Sequence, residues 1–151
     1  HTRRAREIVR HSRLERHDAA IGKVTTPSLA SRRKAERRGR FAETFAALWL
    51  MAKGYRIVAR RARTPFGEID LAALKGGVLA VVEVKARPTL DGGLYAIGPR
   101  QRGRLLRAGA DLARRLRLPG DAPIRFDVVV VQPWRWPAHL RSAFREDDAA
   151  G

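Results

Sequence analysis

The stretch Gly67-Glu68-Ile69-Asp70-Leu71-Ala72-Ala73-Leu74-Lys75-Gly76-Gly77-Val78-Leu79-Ala80-Val81-Val82-Glu83-Val84-Lys85 consists of two apolar segments joined by a glycine pair. With Gly76-Gly77 at the centre of a two-residue hairpin turn, Lys75 faces Val78, and pairing runs down both strands from there. Asp70 is then expected opposite Glu83, and Glu68 opposite Lys85. Side chains alternate with period two, so these four project from one face, while Ile69, Leu71, Val82 and Val84 fill the other. A turn one residue longer would break every one of these pairs. Like charges directly opposite each other destabilise a ladder, so Asp70 against Glu83 calls for a compensating cation. Two carboxylates with a lysine two residues on is an arrangement suited to metal-dependent phosphodiester chemistry. The bland alternative is a surface ladder with an incidental Glu68-Lys85 ion pair, which leaves the Asp70-Glu83 pairing unexplained.

The chain has 151 residues, enough for one domain with a core. Its 32 Lys+Arg against 15 Asp+Glu give a net charge of +17, which points to a polyanion as partner, nucleic acid by default. An arginine-rich codon bias with no functional meaning is the competing explanation. The absence of cysteine excludes disulfides, thiolate metal sites and cysteine nucleophiles, and fits a cytoplasmic setting. The longest uncharged stretch, Thr44 to Ala52, falls far short of the ~18 apolar residues of a membrane span. Residues 1–30 hold no apolar run, so no secretory signal is expected there; they read as a basic, disordered arm.

Residues 31–53 have a helical pattern, with Phe41, Phe45, Leu48, Trp49 and Ala52 as the expected core face and Gly54 as the stop. Glu43 falls roughly opposite Phe45, which by spacing alone makes it a solvated glutamate. A short strand follows over residues 55–60, then Arg61, Arg63 and a turn at Thr64-Pro65. After the hairpin, residues 87–95 read as a loop at the open end of the carboxylate face. Pro99 opens a helix running to about Leu118, with Leu105, Gly109, Leu112 and Leu116 as its buried stripe. Arg100, Arg104, Arg107 and Arg114 are expected on its reverse side, as a solvated face or a phosphate track. Arg125 to Val131 is a buried strand, expected parallel to the Glu83 strand because a helix intervenes. Pro133-Trp134-Arg135-Trp136-Pro137 reads as aromatic cover for a sheet edge, with base stacking as the sharper alternative. The tail over residues 142–151 is polar. The expected fold is therefore α/β, one domain over residues 31–141 with a mixed sheet flanked by helices in the order α-β-β-β-α-β.

Gly39-Arg40-Phe41-Ala42-Glu43, Gly54-Tyr55, Gly67-Glu68-Ile69-Asp70-Leu71, Val82-Glu83-Val84-Lys85-Ala86-Arg87 and Arg125-Phe126-Asp127 occur in the order and spacing of the YraN family, which the chain resembles. That family is similar to the restriction-endonuclease-like PD-(D/E)xK superfamily, and within it to archaeal Holliday junction resolvases. The resemblance implies a restriction-endonuclease-like core and a Mg²⁺ site, with Mn²⁺ as substitute. Asp70 and Glu83 match the acidic metal ligands, the Val84 carbonyl completes the shell, and Glu43 matches a first-helix glutamate that joins the site. Lys85 matches the lysine that orients the attacking water. Two departures from the superfamily pattern fall at Gln101, where many relatives have lysine, and at Arg61, where many have asparagine. Arg61, Arg63, Arg87, Arg100, Gln101 and Arg104 are the candidate nucleic-acid contacts. The implied function is a DNA endonuclease acting on branched or structured DNA, with a homodimer left open and no membrane involvement. A nucleic-acid-binding module that keeps the fold without cutting is the alternative, and an RNA-associated scaffold fits the charge equally well.

Overall fold

Gly76 and Gly77 both have positive φ (58° and 76°), the backbone that a two-residue turn of this hand requires and that glycine adopts without strain. They join strands β2 (Gly67–Lys75) and β3 (Val78–Ala86) with Lys75 opposite Val78, the expected register. A computed structural model of the chain describes residues 26–91 and 97–144. The described elements begin with helix α1 (Leu29–Ala52) and strand β1 (Arg56–Thr64), which precede the hairpin. After it come helix α2 (Pro99–Arg115), strand β4 (Ile124–Val131) and strand β5 (Ala138–Phe144).

The strands form one mixed sheet in the order β1-β2-β3-β4-β5. β4 runs parallel to β3, as the intervening helix predicts, and the other neighbours are antiparallel. One face packs on α2 through Ile69, Leu79, Val81, Leu105, Leu112 and Phe126. The opposite face packs on α1 through Ala42, Ala46, Leu50, Leu71, Val82 and Val129. Ser28 caps α1, its hydroxyl accepting the Ser31 N–H at 3.2 Å, so the helix starts before residue 31 and inside the segment expected as an arm. Residues 1–25 of that arm lie outside the described residues. Gly54, with φ 85°, closes α1 where expected. Among the described residues no helix is long and apolar enough to cross a membrane.

Several expectations are corrected. The buried side of α1 is Ala42, Ala46, Ala47 and Leu50, while Phe41 is 70% exposed and Leu48 and Met51 are also exposed. Alanines let the helix approach the sheet closely; of the expected face, Phe45 is partly buried against the same cluster and Trp49 is half-buried, while Phe41 and Leu48 are left outside. Strand β1 continues to Thr64, and its turn to β2 holds Pro65 and Phe66, pinned by the Thr64 hydroxyl to Gly67 O at 2.7 Å. Ile69 and Leu71 do not share a face: Ile69 packs with α2 and Leu71 with α1. A fifth strand occupies the segment after the tryptophans. It carries residues 142–144, expected as tail, into the sheet, and Phe144 is buried against Phe126. Residues 145–151 and 92–96 lie outside the described residues.

Candidate active site

The β2–β3 ladder runs from Lys75-Val78 to Leu71-Val82 and ends there, one step short of Asp70 and Glu83. Beyond that point β2 pairs only with β1, and β3 only with β4. The two acids are thus not held as a cross-strand pair but stand where the strands part. The Val84 N–H donates instead to Asp70 Oδ2 at 2.9 Å, so the aspartate occupies the place of a missing ladder bond. On the other side of Asp70, Arg61 adopts φ 48°, between the pairs Arg60-Leu71 and Ala62-Ile69. The interruption of alternation between Ile69 and Leu71 falls at this same point.

Glu83 is 6% exposed. Its Oε1 accepts from Lys85 Nζ at 3.0 Å and from Gln101 Nε2 of α2 at 2.5 Å. Its Oε2 is buried with no hydrogen-bond partner. Glu43 reaches the site from α1: its Oε2 lies 3.7 Å from Arg61 Nε, which also holds Glu68 Oε1 at 3.2 Å. Glu68 therefore pairs with Arg61, and Lys85 with Glu83; the expected Glu68-Lys85 facing does not occur. Glu43 is far from the solvated residue its spacing suggested, because the true buried side of α1 is the one it shares with Ala47 and Leu50.

The Asp70 carboxyl is pushed up to about 7. Burial is the largest cause and the negative charge of Glu83 the next; the Val84 N–H opposes, Glu43 adds to the rise, and Lys85 opposes it. Three carboxylates thus repel one another with Lys85 and Arg61 as the nearby cations. Among the described residues no three His, Cys, Asp or Glu side chains converge closely enough to cage a metal unaided. The donor set still suits a hard divalent cation, which uses one or two carboxylates and keeps several waters. The orphaned Glu83 Oε2 and the raised Asp70 are what such a cation would satisfy.

The candidate nucleic-acid residues divide. Arg61 and Gln101 are turned onto the carboxylates. Arg104 is not on the reverse side of α2: its Nη1 donates to Glu68 O at 2.9 Å and lies over Gly67. Arg63, Arg87 and Arg100 are exposed. Gly67 has φ 118°, and a Cβ there would stand 2.5 Å from Arg104 Nη1. Gly67→Ala is expected to lower stability by about 1–3 kcal/mol, read by urea unfolding, because both the backbone and the guanidinium must shift.

A second polar cluster was not anticipated. Asp127, fully buried on the α1 side of β4, accepts from Arg125 at Oδ1 and Oδ2, both at 2.8 Å, and from the Ser142 N–H at 3.0 Å. His139 Nε2 lies 2.8 Å from Asp127 Oδ2, and its Nδ1 lies 2.9 Å from Lys53 Nζ. Arg125 also donates to the Tyr55 hydroxyl at 2.9 Å. Burial alone would raise Asp127, but the hydrogen bonds from His139, Arg125 and Ser142 outweigh it and hold the carboxyl down at about 2. The legible signal was a lone acid inside a run of valines with an arginine two residues earlier, hence on the same face.

The model of the family described as Uncharacterised protein family UPF0102 matches residues 42–131, which include Glu43, Asp70, Glu83, Lys85, Gln101 and Asp127. A UPF0102 protein of Maricaulis maris (strain MCS10) is 49% identical over 120 residues, covering 80% of this chain and 94% of its own length. One from Parvibaculum lavamentivorans is 54% identical over 111 residues, covering 74% of this chain and 84% of its own. One from Mesorhizobium japonicum is 52% identical over 116 residues, covering 76% and 92% respectively. On the extent of these matches, the chain belongs to the UPF0102 family.

Proposed function

We propose that the chain is a Mg²⁺-dependent DNA endonuclease of the restriction-endonuclease-like kind, hydrolysing phosphodiester bonds in branched or structured DNA. The observation that carries this reading is the buried, unpartnered Glu83 Oε2 beside an aspartate whose carboxyl is raised by its burial and by the charge of that same glutamate. Asp70 and Glu83, with the Val84 carbonyl, would hold the cation, which when bound lowers the pKa of coordinated water and neutralises charge growing on the phosphate. The Val84 N–H fixes the Asp70 carboxylate. Glu43 sets the local field through its effect on Asp70, and Arg61 limits its repulsion. The Lys85 ammonium, 3.0 Å from Glu83, would donate a hydrogen bond that orients the attacking water or a phosphate oxygen, and Gln101 holds Glu83 in place from α2. The branched-substrate part rests on the resemblance to junction resolvases.

A non-cleaving nucleic-acid-binding module is the second reading. It is favoured by Lys85 and Gln101 both being engaged with one oxygen of Glu83. Cleavage of labelled four-way junction, flap, single-stranded and linear duplex DNA with Mg²⁺ or Mn²⁺ separates the two. Lys85→Ala is expected to slow cleavage by roughly 10²–10⁴-fold, and Glu83→Ala at least as much. Activity that survives both substitutions removes the catalytic assignment, and binding without cutting under every metal favours the module.

A further inference from the structure

One face of the molecule carries large apolar side chains in the open. A groove of ≈ 390 Å³ lies between α1 and the ends of β3 and β4, lined by Arg38, Phe41, Arg87, Pro88, Val131 and Pro133 among others. Gln132 Nε2 reaches Pro88 O at 3.4 Å across it, tying the segment after β4 to the segment after β3. Phe41 is held by stacking on Phe45 at 6.1 Å, yet is 70% exposed. In the turn that follows Pro133, Trp134 is wholly exposed at 103% with φ 58°, a backbone that bulky residues rarely adopt. Trp136 is 73% exposed and stacks on Trp49 at 5.2 Å. Aromatic rings this open are not covering a sheet edge.

The groove opens at the same end of β3 as the candidate active site but on the α1 face of the sheet: Ala86 and its ladder partner Val131 line it, whereas Glu83, held by Lys85 and Gln101, faces α2. Charge decides the occupant. The exposed N-terminal half of α1 carries Arg32, Arg33, Lys34, Arg37, Arg38 and Arg40, so a second copy packed here would set cation against cation. A polyanion with flat apolar groups meets both features: guanidinium groups for phosphate and open rings for bases.

We propose that this groove and the Trp134 turn bind unpaired nucleotides of the DNA strand next to the scissile phosphate, bases stacking on Phe41 and Trp134 and phosphates on Arg38 and Arg87. The inference rests on the nuclease reading and names the substrate feature it selects: a single-stranded segment at a branch, flap or gap. Fully paired duplex has no free base face to offer.

The test measures binding of fluorescein-labelled oligo(dT), oligo(U) and a linear duplex to the full chain in chelator, with cleavage run separately in Mg²⁺. Phe41→Ala and Trp134→Ala, both at exposed positions, are each expected to weaken oligo(dT) binding about tenfold while changing duplex binding less than twofold. Oligo(dT) should also quench tryptophan emission in the wild type and less so in Trp134→Ala. Equal losses for oligo(dT) and duplex, or none for oligo(dT), overturn the proposal, as does tighter binding of oligo(U) than of oligo(dT). A wild-type dimer in light scattering that Phe41→Ala converts to monomer assigns the face to a second copy and overturns it too. If the selective losses occur but no substrate is cut with any metal, the groove stands and the nuclease reading falls. If wild type cuts and both variants cut and bind like it, the nuclease reading stands and the groove assignment falls.

Discussion

In chelator-treated protein at pH 8, Asp70→Asn is expected to unfold at a higher temperature than the wild type. The carboxyl is raised to about 7 in the fold, against an ordinary 3.8. Folding therefore favours its neutral form. The stability this contributes is fully present below about pH 4, and it is lost as pH rises through 7. Near pH 8 the ionised side chain costs on the order of 2–4 kcal/mol. Asparagine keeps an oxygen for the Val84 N–H and never ionises, so the variant escapes that cost. A rise of roughly 5–15 °C at pH 8, shrinking to little at pH 4, is the expected pattern in thermal scans. Adding Mg²⁺ or Mn²⁺ should close most of this gap: cation binding stabilises wild type by about 2.7 kcal/mol at a hundredfold excess over Kd, and should leave Asp70→Asn unmoved. Equal melting of the two proteins at pH 8 without metal would mean that Asp70 is not crowded in the manner described. A variant that gained as much from the cation as wild type does would remove Asp70 from the ligand set.

Asp127→Ala should have the opposite effect, lowering stability by about 3–5 kcal/mol, a large part of the ~5–15 kcal/mol that holds a domain of this size. The substitution leaves the largely buried Arg125 guanidinium with only the Tyr55 hydroxyl, removes the acidic partner of buried His139 and frees the Ser142 N–H that ties β5 to β4. The pH signature has the opposite sign from that of Asp70. Asp127 is depressed to about 2, so its contribution is present above about pH 4 and lost as pH falls toward 2. Wild type should shed about 2–3 kcal/mol over that interval in urea titrations, and Asp127→Ala should not. A cost below about 1 kcal/mol, or an acid limb unchanged in the variant, would show that the network adds little. Taken together, the two aspartates place maximum stability of the metal-free protein near pH 4, with a decline below it as Asp127 is protonated and above it, toward pH 7, as Asp70 ionises.

The parts of this structure that were legible in advance depend on neighbours close in the chain. The glycine pair set the turn and the register of Leu71 to Lys75 against Val82 to Val78, and Gly54 and Pro99 marked helix ends. The helix between β3 and β4 made their parallel pairing the expected one. Where side-chain size and not backbone chemistry was the guide, the expectation failed. Phe41, Phe45, Leu48 and Trp49 outweighed the alanines in the pattern of α1, yet its buried residues are Ala42, Ala46, Ala47 and Leu50, with Phe45 only partly buried beside them. The resulting error of phase hid Glu43, which only the family resemblance placed near the site. Strand β5 was missed because its alternation is weak and only one of its seven residues is fully buried.

By itself the amino-acid order determined that Asp70 and Glu83 would stand at the open end of one hairpin, since the two-residue turn fixes the register of the ladder that leads up to them from Lys75-Val78 to Leu71-Val82. How they meet was decided by the tertiary structure. The ladder stops at Leu71-Val82, and Asp70 takes the Val84 N–H at the parting of the strands. Glu43, Gln101 and Arg61 arrive from three other elements, and Lys85 is drawn to Glu83 and not to Glu68. Electrostatic partners are chosen by distance in space among groups far apart in the chain, and local spacing carries no information about which of them a helix will bring within reach.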